Sequence, residues 1–463
     1  MLSLLLSTAL AQDLVITHAR VIDGTGAPPI STATLLVRDG RIAAIWPGET
    51  PPPDLPDLET LDVAGATVMP GWFDAHVHLY ADAGAAMRGE PLVWDAAAMD
   101  RRLRAYVASG VTSVLDAGAP HELVHAIRAF EQTHVGPEIS FLGGPLSPPD
   151  GYLDRLETGL PAHATQQDFS AHMDALTALG AAGVKVTVEN GFVAPIWPIF
   201  SADQLGLIHQ EADARDLGIF VHAMTAEEQL HALHADPQAF VHTAFDTSPR
   251  HVEAMAESGV WQVSTLAVVD GMRLTHHPER LARPLVQTVV PERVRECALD
   301  PDIRRTSAQA VQHIMAPGLP GPAAAIFRVA VVSDATYRAQ VRRMQKTLSR
   351  LHQAGVPIVL GSDTANWSVL TGFPHGMTTL REAELLEEAG LSPMEVIVAG
   401  TSRAAELLGV ADDRGRIAVG QRADLVILAD DPLAGMEAVW SVLWTVKDGV
   451  AKTPEQWMAG GEG

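Results

Sequence analysis

One cysteine, Cys297, serves a chain of 463 residues. A lone thiol excludes an internal disulfide framework and any zinc or iron–sulfur site built on several cysteines. Lysine is nearly as scarce: Lys185, Lys346, Lys447 and Lys452 stand against 28 arginines. Positive charge as a whole is short, with 32 Lys plus Arg facing 56 Asp plus Glu and a formal net charge of −24. Such a chain repels phosphate backbones, which argues against nucleic acid as a partner. Apolar runs are short as well. None reaches the ~20 residues that cross a bilayer, so no membrane span is expected. What is present is a hydrophobic fraction of 47% with 19% charged residues. That is enough apolar surface for a sizeable core, and it excludes general disorder. Nineteen histidines then become the main question.

The two ends of the chain share a character. Residues 1–11, Met-Leu-Ser-Leu-Leu-Leu-Ser-Thr-Ala-Leu-Ala, read as a signal peptide closing on a small-x-small cleavage pattern. That implies a periplasmic or secreted protein; without cleavage it would be cytoplasmic. Residues 12–67 and 409–455 are rich in short β-branched runs, with Asp39-Gly40 and Asp448-Gly449 as type I′ hairpin signals. Neither piece closes a sandwich alone, so one small β-sandwich domain built from both chain ends is expected, followed by a tail at 456–463.

Between residues 68 and 408 short apolar runs alternate with Ala/Leu-rich helical segments. Eight candidate strands fall at 67–76, 111–116, 137–142, 183–188, 218–222, 239–243, 260–267 and 356–362. Alternating β and α units imply an α/β fold with a parallel sheet. Eight of them fit a (β/α)8 TIM barrel, whose chemistry sits on the loops after the strands. The connection between the last two is too long for one helix, so a helical insertion is expected at about 270–350.

Chemistry-bearing residues gather where those strands end. His76 and His78 lie two apart on an extended strand and point the same way, so they can hold one cation. His222, His242 and Asp363 each sit one residue past an apolar run, at the functional end of a barrel strand. Lys185 stands inside Gly183-Val-Lys-Val-Thr187, a strand expected to be buried on both faces, and it is the first lysine in the chain. A buried ammonium is costly, and burial can lower its pKa until the free amine reacts. Reaction with CO2 would give a carbamate, an anionic bidentate ligand able to bridge two metals.

Two stretches carry a family resemblance. Met69-Pro-Gly-Trp-Phe-Asp-Ala-His-Val-His-Leu79 resembles the opening signature of the amidohydrolase superfamily. The tail from Gly390-Leu-Ser-Pro-Met-Glu through Thr401-Ser-Arg-Ala-Ala-Glu-Leu-Leu-Gly409 to Gly420-Gln-Arg-Ala-Asp-Leu-Val426 resembles it too. The resemblance implies a binuclear site of two divalent ions, with zinc favoured for N/O donors of this type. His76, His78 and Asp363 would hold the more buried ion, and His222 and His242 the second. Carboxylated Lys185 would bridge them. It further implies amide hydrolysis by a metal-bridging hydroxide, with Asp363 as proton shuttle, on a small-molecule substrate such as a dipeptide, an N-acyl amino acid or a cyclic amide. A homo-oligomer is left open.

Other chemistries on the same fold differ in their residues. A deaminase of this type carries a glutamate three positions after the strand-five histidine, and here that position is Thr225. A lactonase- or phosphotriesterase-like esterase uses the same six ligands and stays open. A non-catalytic scaffold would lack ligands, and all six positions are filled. The split β-domain and the tail signature favour the branch with metallo-dipeptidases and imidazolonepropionase-like enzymes. In the related dipeptidases a His follows paired glycines after strand three; here Gly143-Gly144 precede Pro145. A substrate carboxylate would then need Arg155, His121 or Tyr152. Tyr80, Trp197, Phe200 and Trp367 are candidates to stack on an acyl or aryl group, and His375 is a further substrate candidate.

Overall fold

The computed structural model describes residues 13–48, 58–85, 94–152, 160–161, 164–191, 196–316, 320–325, 333–365, 372 and 374–460. The expected signal peptide, Arg155 and Trp367 lie outside the described residues.

Strands β1 (Leu14–Val21), β2 (Ile30–Arg38), β3 (Arg41–Pro47), β4 (Glu59–Asp62) and β5 (Thr67–Pro70) open the chain. The middle supplies β6 (Trp72–Val77), β7 (Val111–Asp116), β8 (Glu138–Phe141) and β9 (Gly183–Thr187). It continues with β10 (Gly218–His222), β11 (Ala239–Phe240), β12 (Trp261–Val263) and β13 (Ile358–Val359). The chain closes on β14 (Leu425–Leu428), β15 (Val442–Lys447) and β16 (Val450–Lys452).

Both ends meet in one eight-stranded sheet, ordered β16-β15-β14-β5-β1-β2-β3 with β4 paired to β1. Its two Asp-Gly turns form as their residues dictate. Asp39 and Gly40 have φ of 49° and 70°, and Asp448 and Gly449 have 52° and 81°, the left-handed pair that a type I′ hairpin needs. Apolar side chains such as Ile16, Leu35, Val68 and Leu425 fill the core of this sheet.

The expected strand 67–76 is two strands divided at Gly71. β5 pairs with β1 and β14, whereas β6 pairs with β7. Gly71 permits the change of sheet, because a Cβ there would stand 2.3 Å from Thr112 Oγ1.

The remaining strands are parallel and form two sheets, β6-β7-β8 and β13-β12-β11-β10-β9. Isolated parallel bridges join them at both edges, Val77 to Thr364 and Leu146 to Val186. Asp363 N donates to His76 O at 2.7 Å at the first edge, and Leu146 N to Lys185 O at 2.7 Å at the second. β6, β7, β9, β11 and β13 are buried along their whole length, as continuous apolar runs require of a parallel sheet covered on both faces.

Between β12 and β13 lie the helices Ala267–Asp270, Pro284–Val289, Glu292–Leu299, Pro301–Met315 and Asp334–Gln353. Asp270, fully buried, ties this insertion down by accepting from Arg273, Arg280 and Arg381 at 2.8, 2.7 and 2.9 Å. Burial would raise its carboxyl, but Arg381 and Arg280 outweigh burial and hold it at about 2. A carboxyl lowered in the fold stabilises fully above its unfolded value near 4, and that contribution is lost as pH falls through about 2. Asp270→Asn should therefore destabilise by about 2 kcal/mol at pH 7. Urea unfolding should show the gap from wild type narrowing between pH 4 and pH 2.5; a gap independent of pH would count against the ion cluster.

Candidate metal centre

Period-two alternation along β6 puts Asp74, His76 and His78 on one face. His76 Nδ1 donates to Val241 O at 3.0 Å and His78 Nδ1 to Gly118 O at 3.2 Å. Each ring is thereby oriented with Nε2 free to face inward. Those Nε2 atoms lie 3.2 and 3.1 Å from Asp363 Oδ1. Asp363 follows β13 in the left-handed region, φ 57°.

Lys185, only 2% exposed, rises from β9 to place Nζ 3.4 Å from His76 Nε2. His242, just after β11, bonds Thr265 Oγ1 through Nδ1 at 3.0 Å, and its ring lies 4.8 Å from that of His76. His222 closes β10 with its ring 4.5 Å from that of His242. All six residues expected as metal ligands therefore converge from five strands, His76 and His78 from β6 and the others from β9, β10, β11 and β13 or the residues just after them. Donor atoms of His76, His242 and Asp363 fall within 4.8 Å of one another.

The electrostatics favour ligands over charges. Burial pushes His76 down to about 4 and His222 to about 3, and it takes His242 well below the usual histidine range. All three imidazoles are neutral at pH 7 with a lone pair to offer. Burial likewise lowers Lys185 to about 8, partly offset by Asp363 and Asp116. For Asp363 burial acts upward, but the histidines outweigh it and hold the carboxyl well below its ordinary value. His222 Nε2 is buried with no hydrogen-bond partner among the described residues. Neutral imidazoles, a carboxylate and an orphaned buried nitrogen are a donor set that fits a divalent transition metal.

Three acids matter that sequence reasoning passed over. Asp74 is fully buried and accepts from Ser362 N, Ser362 Oγ and Thr379 Oγ1 at 2.9, 2.6 and 2.6 Å. It fastens the His76 strand to the segment carrying Asp363, and the same alternation that paired the histidines would have found it. Asp116, the last residue of β7, accepts from Leu79 N and Gly118 N at 3.0 and 3.1 Å. Glu189, two residues past β9, is 2% exposed, with Oε2 3.8 Å from His222 Nε2.

Among the substrate candidates, Tyr152 stacks on His222 with ring centroids 4.9 Å apart, and Trp197 lies 4.9 Å from Tyr152. The Tyr80 ring is 6.0 Å from that of His78. His375 instead is buried, bonding Tyr106 OH through Nδ1 and Ala81 O through Nε2 at 3.0 and 2.9 Å. Phe200 is wholly buried, edge-on to Phe169 in the core rather than at a mouth. His121 borders the paired glycines, its ring 3.5 Å from where a Cβ on Gly144 would stand. Thr225 caps the helix Ala226–Ala232, accepting from Glu228 N.

The amidohydrolase family model matches residues 67–452, from the strand before the His-x-His to β16. The chain belongs to the amidohydrolase family. This amidohydrolase is 35% identical to an enamidase of Eubacterium barkeri over 103 residues, covering 22% of this chain and about a quarter (24%) of that relative's length. It is 24% identical to an ochratoxinase of Aspergillus niger over 92% of this chain and 83% of the other. A solved Xaa-Pro dipeptidase with bound methionine superposes with a TM-score of 0.71 at 19% identity, covering 95% of this chain and 100% of that one. At that identity the likeness is one of fold.

Proposed function

We propose that this amidohydrolase cleaves a C–N amide bond in a small molecule at a binuclear metal centre. The eight parallel strands would form a (β/α)8 barrel, with the two-ended β-domain beside it. The observation that carries the reading is the convergence of His76, His78, Lys185, His222, His242 and Asp363 on one buried point. An ochratoxinase matched over most of its length, and an Xaa-Pro dipeptidase of the same fold, support amide chemistry.

His76, His78 and Asp363 would hold one ion and His222 and His242 the other, with the Lys185 carbamate between them. Burial, which lowers Lys185 to about 8, leaves more of it as the free amine at neutral pH. That amine forms an N–C bond to CO2 and releases one proton to solvent. Two divalent ions held there, with zinc favoured, would supply Lewis acidity and lower the pKa of a water. Asp363 takes the proton of the attacking water and hands it to the leaving nitrogen. The Tyr152–Trp197 pair beside His222 offers a flat apolar wall for an acyl or aryl group.

A screen of zinc-loaded protein against N-acyl amino acids, dipeptides, cyclic amides, lactones and phosphotriesters tests the reading. Amide turnover that chelation abolishes and zinc restores is the expected result. Turnover confined to lactones or phosphotriesters would move the centre to ester chemistry, and none at all with metal bound would contradict hydrolysis.

A further inference from the structure

We propose that Glu189 is an additional carboxylate donor to the metal position of His222 and His242; the inference rests on the metal-centre reading above. Glu189 stands two residues past the end of β9, the strand that carries Lys185. Val188 N donates to His222 O at 2.8 Å, which keeps this segment beside the end of β10. One carboxylate oxygen of Glu189 is occupied, accepting from Gly191 N at 2.8 Å. The other, Oε2, is buried and has no hydrogen-bond partner among the described residues, and the same is true of His222 Nε2.

These two orphaned atoms face each other at 3.8 Å. That is too long for a direct hydrogen bond, which needs about 3.2 Å or less. Two donors bound to one ion at about 2.1 Å each stand no more than about 4.2 Å apart. A shared ion therefore satisfies both buried atoms where direct contact does not.

The pair is held in place from behind. Glu228 accepts from Asn190 N at 2.9 Å and from Met224 N and Thr225 N at 3.0 and 2.9 Å. A single carboxylate thus clamps the loop bearing Glu189 to the turn that follows His222. With Glu189 the second position would have two imidazoles and two carboxylate-type groups. That set is harder than one lacking Glu189 and suits manganese or iron as well as zinc.

Cobalt(II) titration of metal-free full-length protein, followed by visible absorption and by competition with a chelator, tests this. Wild type should take up two ions. Glu189→Gln keeps the volume but removes the charged donor; it should hold the first ion unchanged and the second about 10- to 100-fold more weakly. Glu189→Asp, shorter by one methylene, should shift the cobalt absorption bands, and it decides the matter if the Gln variant does not fold. Unchanged second-site affinity and unchanged bands would overturn the assignment, even if turnover fell. Failure of wild type to bind two ions would instead overturn the binuclear centre itself.

Discussion

Asp363→Asn lowers turnover about a thousandfold or more while leaving metal largely bound. The substitution keeps the size of the side chain and one oxygen acceptor, so the contacts of Oδ1 with His76 and His78 at 3.2 and 3.1 Å have a substitute. What disappears is the basic carboxylate. In the wild-type site burial would raise that carboxyl, yet the facing histidines hold it well below its ordinary value, so it is ionised throughout the working range. General acid–base groups contribute typically 10²–10⁴ to rate, and the loss should fall on kcat more than on KM. Metal analysis alongside steady-state kinetics separates the effects. Undiminished turnover would remove Asp363 from proton transfer, and joint loss of metal and activity would reduce it to a ligand.

Lys185→Ala should lose most bound metal and, with it, activity. The Nζ of Lys185 lies 3.4 Å from His76 Nε2 at 2% exposure, so the chain has no room for a solvated ammonium there. Lys185→Arg is the sharper variant, because guanidinium stays protonated and forms no carbamate. It restores the length of the side chain and nearly all its apolar stem, yet it should fail as the alanine variant does. Reconstitution of metal-free wild type should be slower in CO2-depleted buffer than with bicarbonate. Retention of metal and activity by both variants would rule out the bridging carbamate.

Why the six proposed donors could be picked out of the sequence follows from where they stand. His76, His78, Lys185, His222, His242 and Asp363 lie on or just past short apolar runs, and strand periodicity alone aims them. Lys185 stood out because a chain that writes arginine 28 times uses lysine inside a buried strand. The strands that both chain ends give to one sheet were visible in their Asp-Gly turns, but not the point where the chain leaves that sheet. Val68 and Trp72 are equally apolar, and only the close approach of Thr112 to Gly71 marks the crossing. Phe200 misled because an aromatic after a strand packs inward as readily as it lines a pocket. Glu189 went unnoticed because its role depends on His222, a partner distant in sequence that only the fold brings near; Asp74 lay on the same alternation as His76 and was passed over although that pattern points to it.

The most direct test of the central claim is metal stoichiometry. Full-length protein produced with zinc in the medium should carry about two ions per chain by elemental mass spectrometry, falling well below one in Lys185→Arg. Wild-type protein with no bound transition metal, or a Lys185→Arg variant still carrying two ions, would contradict a binuclear centre bridged by that lysine.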